Sequence, residues 1–114
     1  MRSRRPRVLR IGAHTWRVRW SAADVARLLD DPQDQAQGAM NSDSLEIAVE
    51  PTKSREKERA VLLHEVLHAC VESSDPGLSY EDEERAVAAI TAPLLHALRT
   101  NPTLARYLLE DDRG

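Results

Sequence analysis

Ser54-Arg55-Glu56-Lys57-Glu58-Arg59-Ala60-Val61-Leu62-Leu63-His64-Glu65-Val66-Leu67-His68-Ala69-Cys70-Val71-Glu72-Ser73 decides how the rest of the chain is read. Ser54 is a natural N-cap with Lys57 three residues on, and Glu56 and Glu58 suit the positive end of the helix dipole. From Ala60 to Val71 the apolar residues lie almost all round the helix, a pattern that predicts a buried, central helix. Ser74-Asp75-Pro76-Gly77 ends it. His64, Glu65 and His68 then stand as polar groups in an apolar setting, and buried polar groups require partners.

Residues four apart on a helix share a face. His64 and His68 can therefore aim one imidazole nitrogen each at a single cation, and the two-His spacing around a Glu points to Zn2+. Glu65 sits about 100° round the helix from His64, badly placed as a ligand but close enough to serve as general base on the water that zinc activates. The bland reading of the same residues is a pair of hydrogen-bonded core histidines. Catalytic zinc keeps three protein ligands, so one more is needed. The acidic run Glu81-Asp82-Glu83-Glu84 opens the next apolar stretch and contains the candidates. Helical periodicity alone leaves Glu83 and Glu84 both open; His96, beyond Pro93, is a weaker third. The remaining acids of the run read as a solvated first turn complementing the dipole. Tyr80 and Tyr107 are two possible O–H donors to an oxyanion. Cys70, about 200° round from His68, reads as a small core residue pointing away from the metal. His14 reads as exposed.

Outward from this helix the pattern changes period. Val8–Ile11 and Thr15–Trp20 alternate at period two about Gly12-Ala13-His14, and predict a β-hairpin with Trp16, Val18 and Trp20 on one face. Ser21-Ala22-Ala23-Asp24 predicts a short capped helix with Ala22, Val25, Ala26 and Leu29 as its apolar stripe. Residues 32–43 read as a polar loop. Leu45, Ile47 and Val49 alternate in a third strand over 44–50 that Pro51 closes. A helix is expected from Tyr80 to Arg99, kinked or restarted at Pro93, and a last one from Thr103 to Glu110.

The 114 residues fit one domain, with 1–7 as a flexible basic N-terminus and 8–114 as the folded unit. Aromatics are only 4% and Phe is absent, so the core is expected to be mostly Leu, Val, Ile and Ala. Residues 1–20 hold seven arginines and no acid; the other nine basic residues face all nineteen acids, a net of −10. The basic start could touch nucleic acid, although the bland reading is a frayed, solvated end. A single cysteine excludes an internal disulfide. Neither a signal-peptide core nor a membrane-spanning run is present, so the expectation is a cytoplasmic protein with no membrane partner.

The run Leu62-Leu63-His64-Glu65-Val66-Leu67-His68-Ala69, followed by Glu83-Glu84-Arg85-Ala86-Val87-Ala88-Ala89-Ile90, Leu94-Leu95 and Asn101-Pro102, resembles the small gluzincin-type HExxH metallopeptidases of phages, prophages and actinobacteria, akin to ImmA/IrrE-like proteins. The resemblance spans roughly residues 44–110. It implies a zincin-like α+β domain, a small antiparallel sheet of about three strands packed with three or four helices. It also implies a zinc-dependent peptidase acting on a protein or peptide substrate, with His64, His68 and Glu84 on the metal and Glu65 as base. Glu84 is the position that matches the family's ligand glutamate, six residues before Ile90. The acid or amide that often follows that ligand by four is Ala88 here. In such peptidases an edge strand binds substrate by backbone pairing, which would fall to Leu45–Val49. The alternative is a zinc-binding regulatory or interaction protein with little or no peptidase activity.

Overall fold

A short hairpin starts the fold: β1 (Val8–Ile11) and β2 (His14–Trp20) pair antiparallel, with Leu9 opposite Trp16, and Gly12 turns the chain at φ 60°. The computed structural model describes residues 3–29 and 35–111. Ser21 caps α1 (Ala22–Leu28), its hydroxyl accepting from the Asp24 N–H. Then come β3 (Gly38–Asn41), β4 (Glu46–Val49), α2 (Arg55–Ser74), α3 (Tyr80–Thr100) and α4 (Pro102–Leu108). The architecture is α+β, a four-stranded sheet in the order β1-β2-β4-β3 with helices on both faces.

Two differences from the expected sheet share one cause. β3 lies in the stretch read as loop, because Gly38-Ala39-Met40-Asn41 is built of weak strand formers. Its presence moves β4 to an interior position, where β2 pairs with it in parallel and β3 antiparallel. β4 is then covered on both faces, and all four of its residues are buried. Ile47 and Val49 join Ile11, Trp16, Val18 and Ala69 in the core under α2, while Ala48 joins Val25, Leu28 and Ala39 under α1. Leu45 enters the strand at φ 56°, a left-handed conformation that costs a non-glycine residue about 1–2 kcal/mol.

Trp16, on the hairpin face expected to meet the core, is 2% exposed and is the largest fully buried side chain in an otherwise mostly aliphatic core. Other expectations are corrected by packing. α1 buries Val25 and Leu28, while Ala22 and Ala26 are exposed. α2 is covered on part of its surface only: Leu63 and Leu67 are half-buried and Cys70 is exposed, so this thiol is not a core residue. α3 runs unbroken through Pro93; Pro93 and Ala89 are both exposed, so the carbonyl that loses its helical partner is on the solvent side. Of the segment expected to be flexible, residues 1–2 lie outside the described residues and residues 5–7 are anchored. Arg5 donates to both carboxylate oxygens of buried Glu58 at 3.0 and 2.6 Å and lies over the Trp20 ring. Trp20 Nε1 donates to the Pro6 carbonyl, and Val18 N–H to that of Arg7.

Candidate metal centre

α2 packs against the sheet with one flank and against α3 with another. Ser54 and Ser79 cap these two helices, accepting from the backbone N–H groups of Lys57 and Asp82, so each helix starts in a fixed register. That register brings His64 and His68 from α2 against Glu84 from α3. His64 Nε2 lies 3.1 Å from one Glu84 oxygen and His68 Nε2 2.7 Å from the other. The three potential ligand atoms lie within 4.8 Å of one another. Ligand atoms held about 2 Å from one tetrahedral zinc stand roughly 3.3 Å apart, so two imidazoles and one carboxylate in this arrangement fit the ion.

The neighbouring acid occupies a different place. Glu83 Oε2 is 2.6 Å from His68 Nδ1, the far nitrogen of the same ring, and the Glu83 side chain is 5% exposed against 40% for Glu84. A buried carboxylate on Nδ1 fixes the tautomer that leaves Nε2 free for a metal. Burial works against a charged His68, but the Glu83 hydrogen bond and the Glu84 and Glu65 charges outweigh it and raise its pKa.

Glu65 is buried, 7% exposed, and makes no hydrogen bond or ion pair among the described residues. Burial, reinforced by the Glu84 charge and opposed by His68, pushes its carboxyl up to about 7. It borders two cavities that meet at His64. One, about 310 Å³, extends past Met40, His68 and Tyr80; the other, about 650 Å³, extends past Gln37, Val61 and Thr91. β3 runs along both. At Gly38 an added Cβ would come within 2.5 Å of Val61 Cγ1 and 3.2 Å of the Glu65 side chain, so the absent side chain is what lets the strand pass so close to α2.

Of the two tyrosines, Tyr80 is at the site. It lines the first cavity, stacks on His68 with ring centroids 6.3 Å apart, and precedes Glu84 by one turn. Tyr107 lies on α4, away from the histidines and exposed. His96 is exposed further along α3 and joins no metal-ligating group, and His14 is exposed as expected.

Sequence reasoning missed Glu72. One turn beyond His68, it lines the first cavity and approaches Glu83 and Ser42; burial and the neighbouring Glu83 raise its pKa. The spacing His68-x-x-x-Glu72 was the available signal. The edge strand bordering the site is β3, and β4, expected in that role, is interior. Comparisons of the chain with protein-family models, curated proteins and solved structures found no match.

Proposed function

We propose that this protein is a zinc-dependent metallopeptidase in which His64, His68 and Glu84 hold the ion and Glu65 is the general base. The observation that carries the proposal is the convergence of both Nε2 atoms on one Glu84 carboxylate beside a largely buried Glu65 that has no hydrogen bond or ion pair among the described residues. Desolvating a carboxylate costs stability, and a group kept at that cost with its pKa pushed up to about 7 suits proton transfer.

When bound, zinc supplies Lewis acidity to a carbonyl oxygen and to water, whose pKa it lowers to about 7. Glu65 takes a proton from the attacking water at its carboxylate and returns it to the leaving amine nitrogen. Glu83 holds the His68 Nδ1–H, so the ring keeps its orientation while charge shifts at Nε2. Among the described residues, Tyr80 is the one neutral side-chain O–H lining the cavity at His68, and is assigned to the developing oxyanion. An extended peptide pairs with the outer edge of β3, placing its scissile bond over Glu65 between the two cavities. The lone cysteine favours a reducing, cytoplasmic setting; no helix among the described residues is long and apolar enough to cross a membrane.

The test is zinc content and peptide cleavage of wild type and Glu65→Gln. About one zinc per chain in both, with cleavage lost by about 100-fold or more in the variant, is expected. A wild type that folds and refuses zinc refutes the metal site. Zinc bound with no cleavage of any protein or peptide offered supports the alternative, a zinc-bearing regulatory protein.

A further inference from the structure

Among the described residues, the β1 end of one sheet face is uncovered. α1 packs on β3, β4 and β2 but makes no contact with β1, and α2 covers the opposite face. Leu9, Ile11, Trp16 and Val18 point toward α2, so Val8, Arg10, Thr15 and Arg17, which alternate with them, are exposed on the uncovered side. The register sets Val8 beside Arg17 and Arg10 beside Thr15. Arg4 and Arg7 are exposed at the entry to β1.

The charges on this hairpin are all of one sign. The guanidinium groups of Arg4, Arg7, Arg10 and Arg17 have no ion pair or hydrogen bond among the described residues. Arg5 and Arg19, the two that are paired, are neutralised by Glu58 and Glu46 from outside the hairpin. The rest of the chain is strongly acidic, so the molecule carries its charge as a dipole with the cationic end on β1 and β2.

We infer that the outward face of the β1–β2 hairpin is a docking surface for nucleic acid, bound through its phosphate backbone. This goes beyond the peptidase proposal and stands independently of it. A protein partner normally needs a buried aromatic or large aliphatic anchor at the centre of the contact. A membrane surface needs an apolar face to insert. Here both tryptophans of β2 point the other way, toward α2, and Val8 is the largest apolar side chain on the face. Arginine without an apolar anchor matches a partner whose affinity is electrostatic. A two-stranded ribbon is also narrow enough for the major groove. β3, which borders the metal centre, is at the other edge of the sheet from β1, so a docked duplex leaves the centre open.

The experiment is fluorescence anisotropy of a labelled duplex DNA titrated with the full chain across a salt series. Four arginines on phosphates predict a log–log slope of about −3 to −4, a loss of roughly 100-fold in affinity between about 50 and about 200 mM salt. Arg10→Ala combined with Arg17→Ala, both on an exposed face, reduces the slope by about 2 and weakens binding at low salt by tenfold or more. Arg106→Ala on α4 changes neither. No binding at low salt, binding without salt dependence, or binding that the double variant retains overturns the inference. Tighter binding to vesicles containing anionic lipid than to the duplex overturns it in favour of a membrane surface. Thermal unfolding of the double variant, unchanged from wild type, shows that the fold is intact.

Discussion

Replacing Glu83 and Glu84 one at a time by Gln separates two roles that adjacent residues play. Each substitution removes one negative charge from nearly the same place, so long-range electrostatics change equally and the difference reports contact chemistry. Glu84 touches Nε2 of both imidazoles, at 3.1 and 2.7 Å. Apparent zinc binding of about 10–16 kcal/mol shared over four ligands is about 2.5–4 kcal/mol each, so losing this ligand weakens zinc by about 100- to 1000-fold. Glu83 touches only Nδ1 of His68, at 2.6 Å. Losing an outer partner of that kind costs about 10- to 100-fold, and the Gln amide can still accept from the ring. Competition with a chromophoric chelator measures both affinities. Cobalt substitution adds an absorption spectrum that changes in intensity when a ligand is lost and keeps its tetrahedral form when only an outer partner is lost. Equal losses in the two variants, or a larger loss for Glu83→Gln, would refute the assignment of Glu84 as the ligand.

Gly38→Ala should destabilise the fold by about 1–3 kcal/mol in urea unfolding, because the new Cβ meets Val61 Cγ1 at 2.5 Å and one of the two elements must shift. The same variant should lose activity at retained zinc content, since Glu65 is the other side chain within reach of that Cβ, at 3.2 Å. Tyr80→Phe should lower kcat by about 10- to 100-fold and leave KM and zinc content near wild type, as expected for a donor that acts on the transition state; an unchanged kcat would remove Tyr80 from the mechanism. Stability should fall as pH drops from about 4.5 to about 2. Arg5 holds the Glu58 carboxyl down at about 2 and Arg27 does the same for Glu46, so folded chains keep these carboxylates ionised through a range where unfolded chains bind protons. Glu58→Gln combined with Glu46→Gln should be less stable at neutral pH and should lose about two protons' worth of slope between pH 3 and 4.

The His64-Glu65-His68 spacing could be read because a helix converts sequence distance into direction without help from the rest of the fold. The choice between Glu83 and Glu84 could not. Neighbours on a helix point about 100° apart, and which one faces α2 depends on how α3 is rotated against it, a tertiary fact. Glu84 came only from the family resemblance, and that Glu83 serves the other nitrogen of His68 was not foreseen. β1, β2 and α1 announced themselves through alternation and a Ser cap, whereas β3 has neither β-branched residues nor alternation and is held by its neighbours. The parallel pairing of β2 with β4 follows from where β3 lies and leaves no mark on β4 itself. Composition also overstated the burial of α2: an apolar surface does not say how much of it the fold covers, and Cys70 and the half-exposed Leu63 and Leu67 mark the part that is left open.

The buried positions on α2 explain why the proposed metal centre belongs to this helix. Its four buried residues are Glu58, Glu65, His68 and Ala69, so three of the four are ionisable. Each of the three needs a different remedy. Glu58 takes Arg5 and the Thr52 N–H, a closed ion pair that ties the N-terminal segment to the helix start. His68 takes Glu83 on one nitrogen and turns the other to Glu84. Glu65 has no hydrogen bond or ion pair among the described residues and opens onto two cavities, under a glycine strand that leaves it room. A sequence selected for stability alone would place apolar residues at these positions, since buried ion pairs gain little over hydrophobic packing and a desolvated carboxylate costs stability. The residue whose burial is hardest to justify by stability is the one best placed to move a proton.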